Sequence, residues 1–195
     1  MEEQIKKELL EHQETIEKLT SYQVKKIELI ALALIACYRN HGKMVLFGNG
    51  GSAADAQHIA GEMMGRFKIE RRPMSAIALT PNSSIVTAIG NDYGFEYIFE
   101  RQVDALVNPN DVVVGISTSG NAENVLRGLK KAKEKGAMTI AFTGRTGGKL
   151  QEISHAIDIF LQVPSDNTPR IQEAHITVGH IVCGLVEKEM FPQNG

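Results

Sequence analysis

A three-layer α/β sandwich around a parallel β-sheet, preceded by helices, is the fold this sequence predicts, and three observations predict it. After residue 43, short apolar runs alternate with longer amphipathic patterns. The run Val112-Val113-Val114-Gly115-Ile116 is apolar on both faces, as a central strand covered by helices on both sides must be. Two strands also break into small-residue turns, Gly48-Asn49-Gly50-Gly51-Ser52 and Ser117-Thr118-Ser119-Gly120-Asn121, and each turn opens a helix. Both would lie at carboxyl ends of parallel strands, where open α/β sheets bind ligands.

Residues 3–39 place Ile5, Leu9, Ile16, Leu19, Val24, Ile27, Ile30, Leu34 and Cys37 at helical spacing, with a break expected near Thr20-Ser21. These N-terminal helices, within 1–40, must bury an apolar stripe on the sheet or on a neighbouring subunit. Strands are expected at 43–48, 75–80, 111–117, 137–143 and 156–163, and helices at 52–66, 82–90, 94–107, 121–136 and 168–190. No proline- or serine-rich linker divides the chain, so residues 1–195 read as one domain.

With 43% hydrophobic and 23% charged residues the chain has the composition of a globular protein, which excludes a disordered one. A net charge of −2 gives no general pull toward nucleic acid or anionic membranes, so any anion must be bound by a local site. The longest apolar stretch, 29–37, falls well short of the ~20 residues that span a bilayer. Met1-Glu2-Glu3-Gln4 offers no basic leader, and the expected compartment is the cytoplasm. The two cysteines, Cys37 and Cys183, sit in apolar helical contexts without paired spacing and read as buried, reduced thiols.

Glycines at 48, 50 and 51 let a ligand approach backbone N–H groups, and the Ser52 hydroxyl is placed to cap the following helix. His58 and Glu62 then share one face of that helix, at a spacing that suits a metal, an acid/base pair or a plain intrahelical contact. The serine turn adds three hydroxyls and a helix N-terminus, a cradle for a phosphate that needs no lysine. The glycine turn is neither a Walker loop, since no Gly-Lys-Ser/Thr follows, nor a dinucleotide fingerprint, which favours a sugar phosphate over a nucleotide. The apolar last helix carries Gln172, Glu173, His175 and His180, and spacing alone does not choose between the two histidines. His12, His41 and His155 read as surface residues without partners, and Arg66, Lys68, Arg71 and Arg72 as a solvated basic loop.

Together Gly48 to Ser52, Ala56-Gln57-His58 with Glu62, Gly90-Asn91-Asp92, Gly115 to Asn121, and Arg170-Ile171-Gln172-Glu173 with His180 resemble the phosphoheptose isomerases of the sugar isomerase (SIS) domain group. The likeness spans essentially the whole chain. It implies a flavodoxin-like five-stranded sheet, a homotetramer with active sites at subunit interfaces, and zinc held by His58, Glu62, Gln172 and His180. It further implies that Asn49, Gly50, Gly51, Ser52, Asn91 and Asp92 contact the sugar chain and that Ser117, Thr118 and Ser119 hold the phosphate. Glu62 and His180 would be the catalytic acid/base pair, acting on a phosphorylated seven-carbon sugar destined for the heptoses of lipopolysaccharide core or surface glycans. The chain departs from some family members at two positions, with Ala122 in place of a phosphate-contacting serine and Pro169 in place of an aspartate. The contrasting expectation is a non-catalytic SIS-domain binding protein resembling the DnaA initiator-associating proteins. Those relatives lose acid/base residues at the positions of Glu62 and His180, both of which this chain keeps.

Overall fold

The computed structural model describes residues 1–192. Its elements are α1 (Glu2–Arg39), β1 (Met44–Gly48), α2 (Gly51–Met64), β2 (Ala76–Ala78), α3 (Ser83–Asp92), α4 (Ile98–Leu106), β3 (Val112–Ser117), α5 (Glu123–Glu134), β4 (Met138–Thr143), β5 (Ile159–Gln162) and α6 (Thr168–Met190). The five strands form one sheet in the order β2-β1-β3-β4-β5. Every pairing is parallel, from Met44 beside Ala76 to Thr143 beside Gln162. This is the flavodoxin-like order, whose switch point lies between β1 and β3.

β1 and β3 are buried along their whole length, as apolar runs with both faces covered should be. Alternation splits their side chains between two cores. Met44, Leu46, Val112, Val114 and Ile116 pack with Ile30 and Leu34 of α1, Ile59 and Met63 of α2, and Val178 and Val182 of α6. Val45, Phe47 and Val113 face Phe99 and Val103 of α4 and Leu129 of α5. Helices therefore lie on both faces, and α2 and α6 share one of them.

The expected break near Thr20-Ser21 does not occur, and α1 runs unbroken for 38 residues. The Thr20 and Ser21 hydroxyls donate back to the Ile16 and Glu17 carbonyls at 2.9 and 3.0 Å, so these residues join the helix instead of ending it. Its carboxyl-terminal half is built into the core through Ile27, Ile30, Leu34 and Cys37, whereas Ile5, Leu9 and Leu10 nearer its start are exposed. The expected helix 94–107 is a short 3-10 turn, Phe95–Tyr97, followed by α4. The helix expected at 82–90 extends to Asp92, which carries Asn91 and Asp92 on its final turn. Cys37 and Cys183 are both free and buried, and burial pushes their thiols up to about 11 and about 12.

Candidate active site

The two turns flank the switch point. After β1 the chain passes through Gly50 at φ 55° and enters α2. Ser52 is 4% exposed inside the first turn of α2, and its side chain makes no capping bond, so the capping role expected of it is not what the structure shows. Asn49 reaches across the switch point, where its amide and that of Asn124 on α5 exchange hydrogen bonds at 2.9 and 3.0 Å. This reciprocal pair ties the glycine turn to the helix that follows the serine turn.

α2 carries His58 and Glu62 one turn apart, and α6 brings His180 against them. His58 Nε2 lies 2.9 Å from His180 Nε2 and 3.2 Å from Glu62 Oε1. The ligand atoms of all three fall within 4.8 Å of one another. Two facing imidazole nitrogens need one proton between them, or a cation. Donors about 2.0–2.2 Å from a tetrahedral zinc are themselves roughly 3.3–3.6 Å apart, wider than the 2.9 and 3.2 Å found here, so the two nitrogens and the carboxylate oxygen are the right donor set and would have to open by a few tenths of an ångström to hold that ion. Gln172 is seated elsewhere, on the glycine turn: a Cβ at Gly51 would stand 2.3 Å from its Nε2, so only glycine leaves space for the amide there.

His175, the alternative that spacing left open, lies in the core with no exposed surface. Its Nε2–H donates to the Thr143 carbonyl at 3.2 Å, and burial pushes its pKa down to about 4, which makes it a neutral structural imidazole. Asp55, one turn before His58, has a buried Oδ2 without a hydrogen-bond partner. Burial pushes this carboxyl up to about 6 against the opposing pull of His58.

In the second turn Ser117 is 6% exposed, while Thr118 and Ser119 open onto a pocket of about 230 Å³ with Arg145 and Thr146 on its rim. Main-chain contacts hold this turn: Gly144 N–H donates to the Thr118 carbonyl at 2.9 Å and Leu150 N–H to the Gly120 carbonyl at 3.0 Å. Gly120 has φ 68°, and a Cβ there would collide with the Gly147 carbonyl oxygen at 2.0 Å. Ala122 stands at the N-cap of α5 and offers no side-chain cap. Asn91 and Asp92 are exposed on α3, where the Asn91 amide donates to Asp92 Oδ1 at 2.8 Å, and Asp92 borders a separate cleft with Tyr93 and Arg101. The chain just beyond them returns to the site, where Phe95 and Glu96 line a cleft with Asn49 and Ala122.

Three features were not expected from the sequence. The Arg71 guanidinium is 1% exposed and paired with Glu187, so the basic loop is not solvated throughout. Phe67 stacks on His180 with ring centroids 5.8 Å apart. His12, expected to have no partner, meets Glu173 at 2.7 Å and ties α1 to the start of α6. The signal for the first was Glu187 itself, a carboxylate on the face of α6 that otherwise presents Val182, Cys183 and Val186 to the core.

Comparison with known proteins places this geometry. Residues 9–144 match the SIS domain family. The phosphoheptose isomerase of Aquifex aeolicus is 57% identical over 188 residues, covering 96% of this chain and 97% of its own. Among solved structures, phosphoheptose isomerase GmhA from Neisseria gonorrhoeae superposes with a TM-score of 0.89 at 41% identity, covering 96% of this chain and 98% of that one. A phosphoheptose isomerase from Francisella tularensis gives 0.92 at 37% identity, covering 95% and 97%. With the fold matched along nearly its whole length and identity above half, the chain belongs to the phosphoheptose isomerase family of SIS domain proteins.

Proposed function

We propose that this chain, an isomerase by family, interconverts sedoheptulose 7-phosphate and D-glycero-D-manno-heptose 7-phosphate. The observation that carries the reading is the convergence of His58, Glu62 and His180 from two helices beside the switch-point turns. The reaction moves one proton between neighbouring carbons. Glu62 takes a proton from the first carbon of the ketose while the carbonyl oxygen on the second acquires one, giving a cis-enediol. The hydroxyl on the first carbon then loses its proton, and the second carbon receives one to complete the aldose. His180 is placed to shuttle protons among the oxygens. Ser117, Thr118 and Ser119 hold the phosphate, aided by the N–H groups at the start of α5. Asn49, Gly50, Gly51 and Ser52 contact the sugar chain, and the family resemblance adds Asn91 and Asp92, although within this chain Asp92 borders a separate cleft.

Zinc suits the donors His58, Glu62 and His180, which would hold it, and the family resemblance adds Gln172 as a fourth ligand, whose amide would have to leave its seat on the Gly51 turn to reach the ion; when bound, zinc supplies a Lewis acid for the carbonyl oxygen. We place the protein in the cytoplasm as one SIS domain over residues 1–195, in a homotetramer with its sites at subunit interfaces, supplying heptose for lipopolysaccharide core or surface glycans. The exposed apolar residues Ile5, Leu9 and Leu10 of α1 and Ile181 and Leu185 of α6 support the assembly. Among the described residues no helix is long and apolar enough to cross a membrane. Glu62 and His180 both stand in the cluster, and nothing favours the non-catalytic binding protein.

The test is conversion of sedoheptulose 7-phosphate by the parent chain, with and without a chelator, and by Glu62→Gln and His180→Gln. General acid–base groups contribute about 10²–10⁴-fold, and each variant is expected to lose kcat on that scale. Full activity in both would overturn the proposed site.

A further inference from the structure

A buried ion pair lies directly behind the cluster and belongs to none of the roles assigned above. Glu187 sits on α6 two turns beyond His180 and is 3% exposed. Its Oε1 accepts from Arg71 Nε at 2.9 Å and from the Phe67 N–H at 3.1 Å, and its Oε2 accepts from the Lys68 N–H at 2.9 Å. The Arg71 guanidinium turns its other edge to α2. Nη2 donates to the Glu62 carbonyl at 2.8 Å and Nη1 to the Met63 carbonyl at 3.0 Å. Those carbonyls belong to the last turn of α2, where no intrahelical partner exists. One ion pair thus joins the end of α2, the strap that follows it, and α6.

That junction matters because Glu62 and His180 stand on different helices. Apolar packing between α2 and α6 sets their separation only coarsely, whereas a misplacement of about 1 Å can cost roughly 10²-fold in rate. The strap also delivers Phe67, whose ring lies 5.8 Å from that of His180 at an interplanar angle of 24°. Gly184 leaves room for this ring, since a Cβ there would stand 3.3 Å from Phe67 Cε1. Buried ion pairs are poor stabilisers beside an apolar pair of equal volume, so stability alone does not account for this one. Direction does: a guanidinium fork satisfies two carbonyls and a carboxylate at once, which a lysine ammonium cannot do in the same plane.

We propose that Arg71 and Glu187 are positioning residues that fix the register of Glu62 on α2 against His180 on α6 and hold Phe67 as the wall that orients the His180 imidazole. Neither touches the reacting atoms. The proposal rests on the isomerase reading for its kinetic consequence, and on geometry alone for the rest.

Arg71→Met, Arg71→Lys, Glu187→Gln and Phe67→Leu in the full chain test it through three readouts: kcat and KM for sedoheptulose 7-phosphate, zinc affinity by competition with a chromophoric chelator, and the His180 ring-proton chemical shift without metal or substrate. Arg71→Met and Glu187→Gln are expected to lower kcat about 10–100-fold and weaken zinc about tenfold or more, with KM within roughly threefold and the His180 signal displaced. Arg71→Lys keeps the charge and loses the fork, so it recovers only part of kcat. Phe67→Leu leaves the ion pair in place yet displaces the His180 signal and lowers kcat about fivefold. Parent values of kcat, zinc affinity and His180 shift in folded Arg71→Met and Glu187→Gln overturn the proposal. If those two do not fold, parent values in Phe67→Leu overturn it. A parent chain inactive on sedoheptulose 7-phosphate sinks the isomerase reading instead, and the positioning role then stands or falls on zinc affinity and the His180 shift.

Discussion

The two halves of the site are made of different material. On the α2–α6 side the groups brought together are side chains, with His58, Glu62 and His180 inside 4.8 Å of one another. On the β3 side the turn is held largely by main chain, through Gly144 N–H to Thr118 and Leu150 N–H to Gly120. Proton transfer needs groups of particular basicity at particular atoms, which only side chains offer. A phosphate needs several donors in a concave array, which backbone N–H groups supply without conformational freedom to lose. The first half should therefore be vulnerable to changed side chains, and the second to changed backbone.

The largest expected effect on the second half is Gly120→Ala. A left-handed φ of 68° and a Cβ 2.0 Å from a carbonyl oxygen force the turn to move. A loss of about 2–3 kcal/mol in unfolding free energy is expected by denaturant titration, with KM rising more than kcat falls. A thermodynamically silent Gly120→Ala would show that the turn is not built on main-chain geometry.

Next comes the link between the halves. His175 on α6 donates to Thr143 at the end of β4, and the next residue, Gly144, donates to Thr118. Its folded pKa, pushed down to about 4 by burial, lies below its unfolded value near 6.5. The unfolded chain therefore binds this proton first. Stability from the group is complete above pH ~6.5 and falls as pH drops toward 4, by up to about 1.4 kcal/mol per pH unit. Urea titrations at several pH values should show that His175→Phe lacks this limb relative to the parent. Parallel curves would mean that His175 protonates in place and does not link the halves as a neutral donor.

The smallest effect belongs to a single hydroxyl. Ser119→Ala removes one of the several donors proposed for the phosphate and the acceptor of the Asn121 N–H at 3.2 Å, while the main-chain bonds of the turn stay, so KM is expected to rise about 5–10-fold, near 1 kcal/mol, with kcat within twofold. A loss of kcat on the scale expected for Glu62→Gln would erase the distinction between the two halves.

What could be read from the sequence follows the same division. Strand runs, both turns, α6 and the one-turn spacing of His58 and Glu62 are local patterns, and the structure has them where periodicity placed them. The break expected in α1 rested on Thr20 and Ser21, whose hydroxyls have a second choice, the carbonyl one turn back, that propensity does not reveal. The last helix offered Gln172, Glu173, His175 and His180 as candidates, but only resemblance selected Gln172 and His180, because their meeting with α2 depends on how two helices far apart in sequence pack. The ion pair of Arg71 and Glu187 was hidden for that reason too. Arg71 sits in a run of basic residues that reads as solvated, and burial is a property of the fold, not of the run.

Ala122 gives the serine turn one further consequence. A helix that begins at alanine, with no side chain to close its first turn, keeps donors open at the end that faces the switch point. Serine there would close the end from within. Under the proposed function closure would fall to the substrate's phosphate, which would then be a structural part of α5 and couple occupancy to folding. Ligand should then raise the unfolding free energy by RT ln(1 + [L]/Kd), and the amides of Glu123 and Asn124 should be the first to gain protection from exchange with solvent.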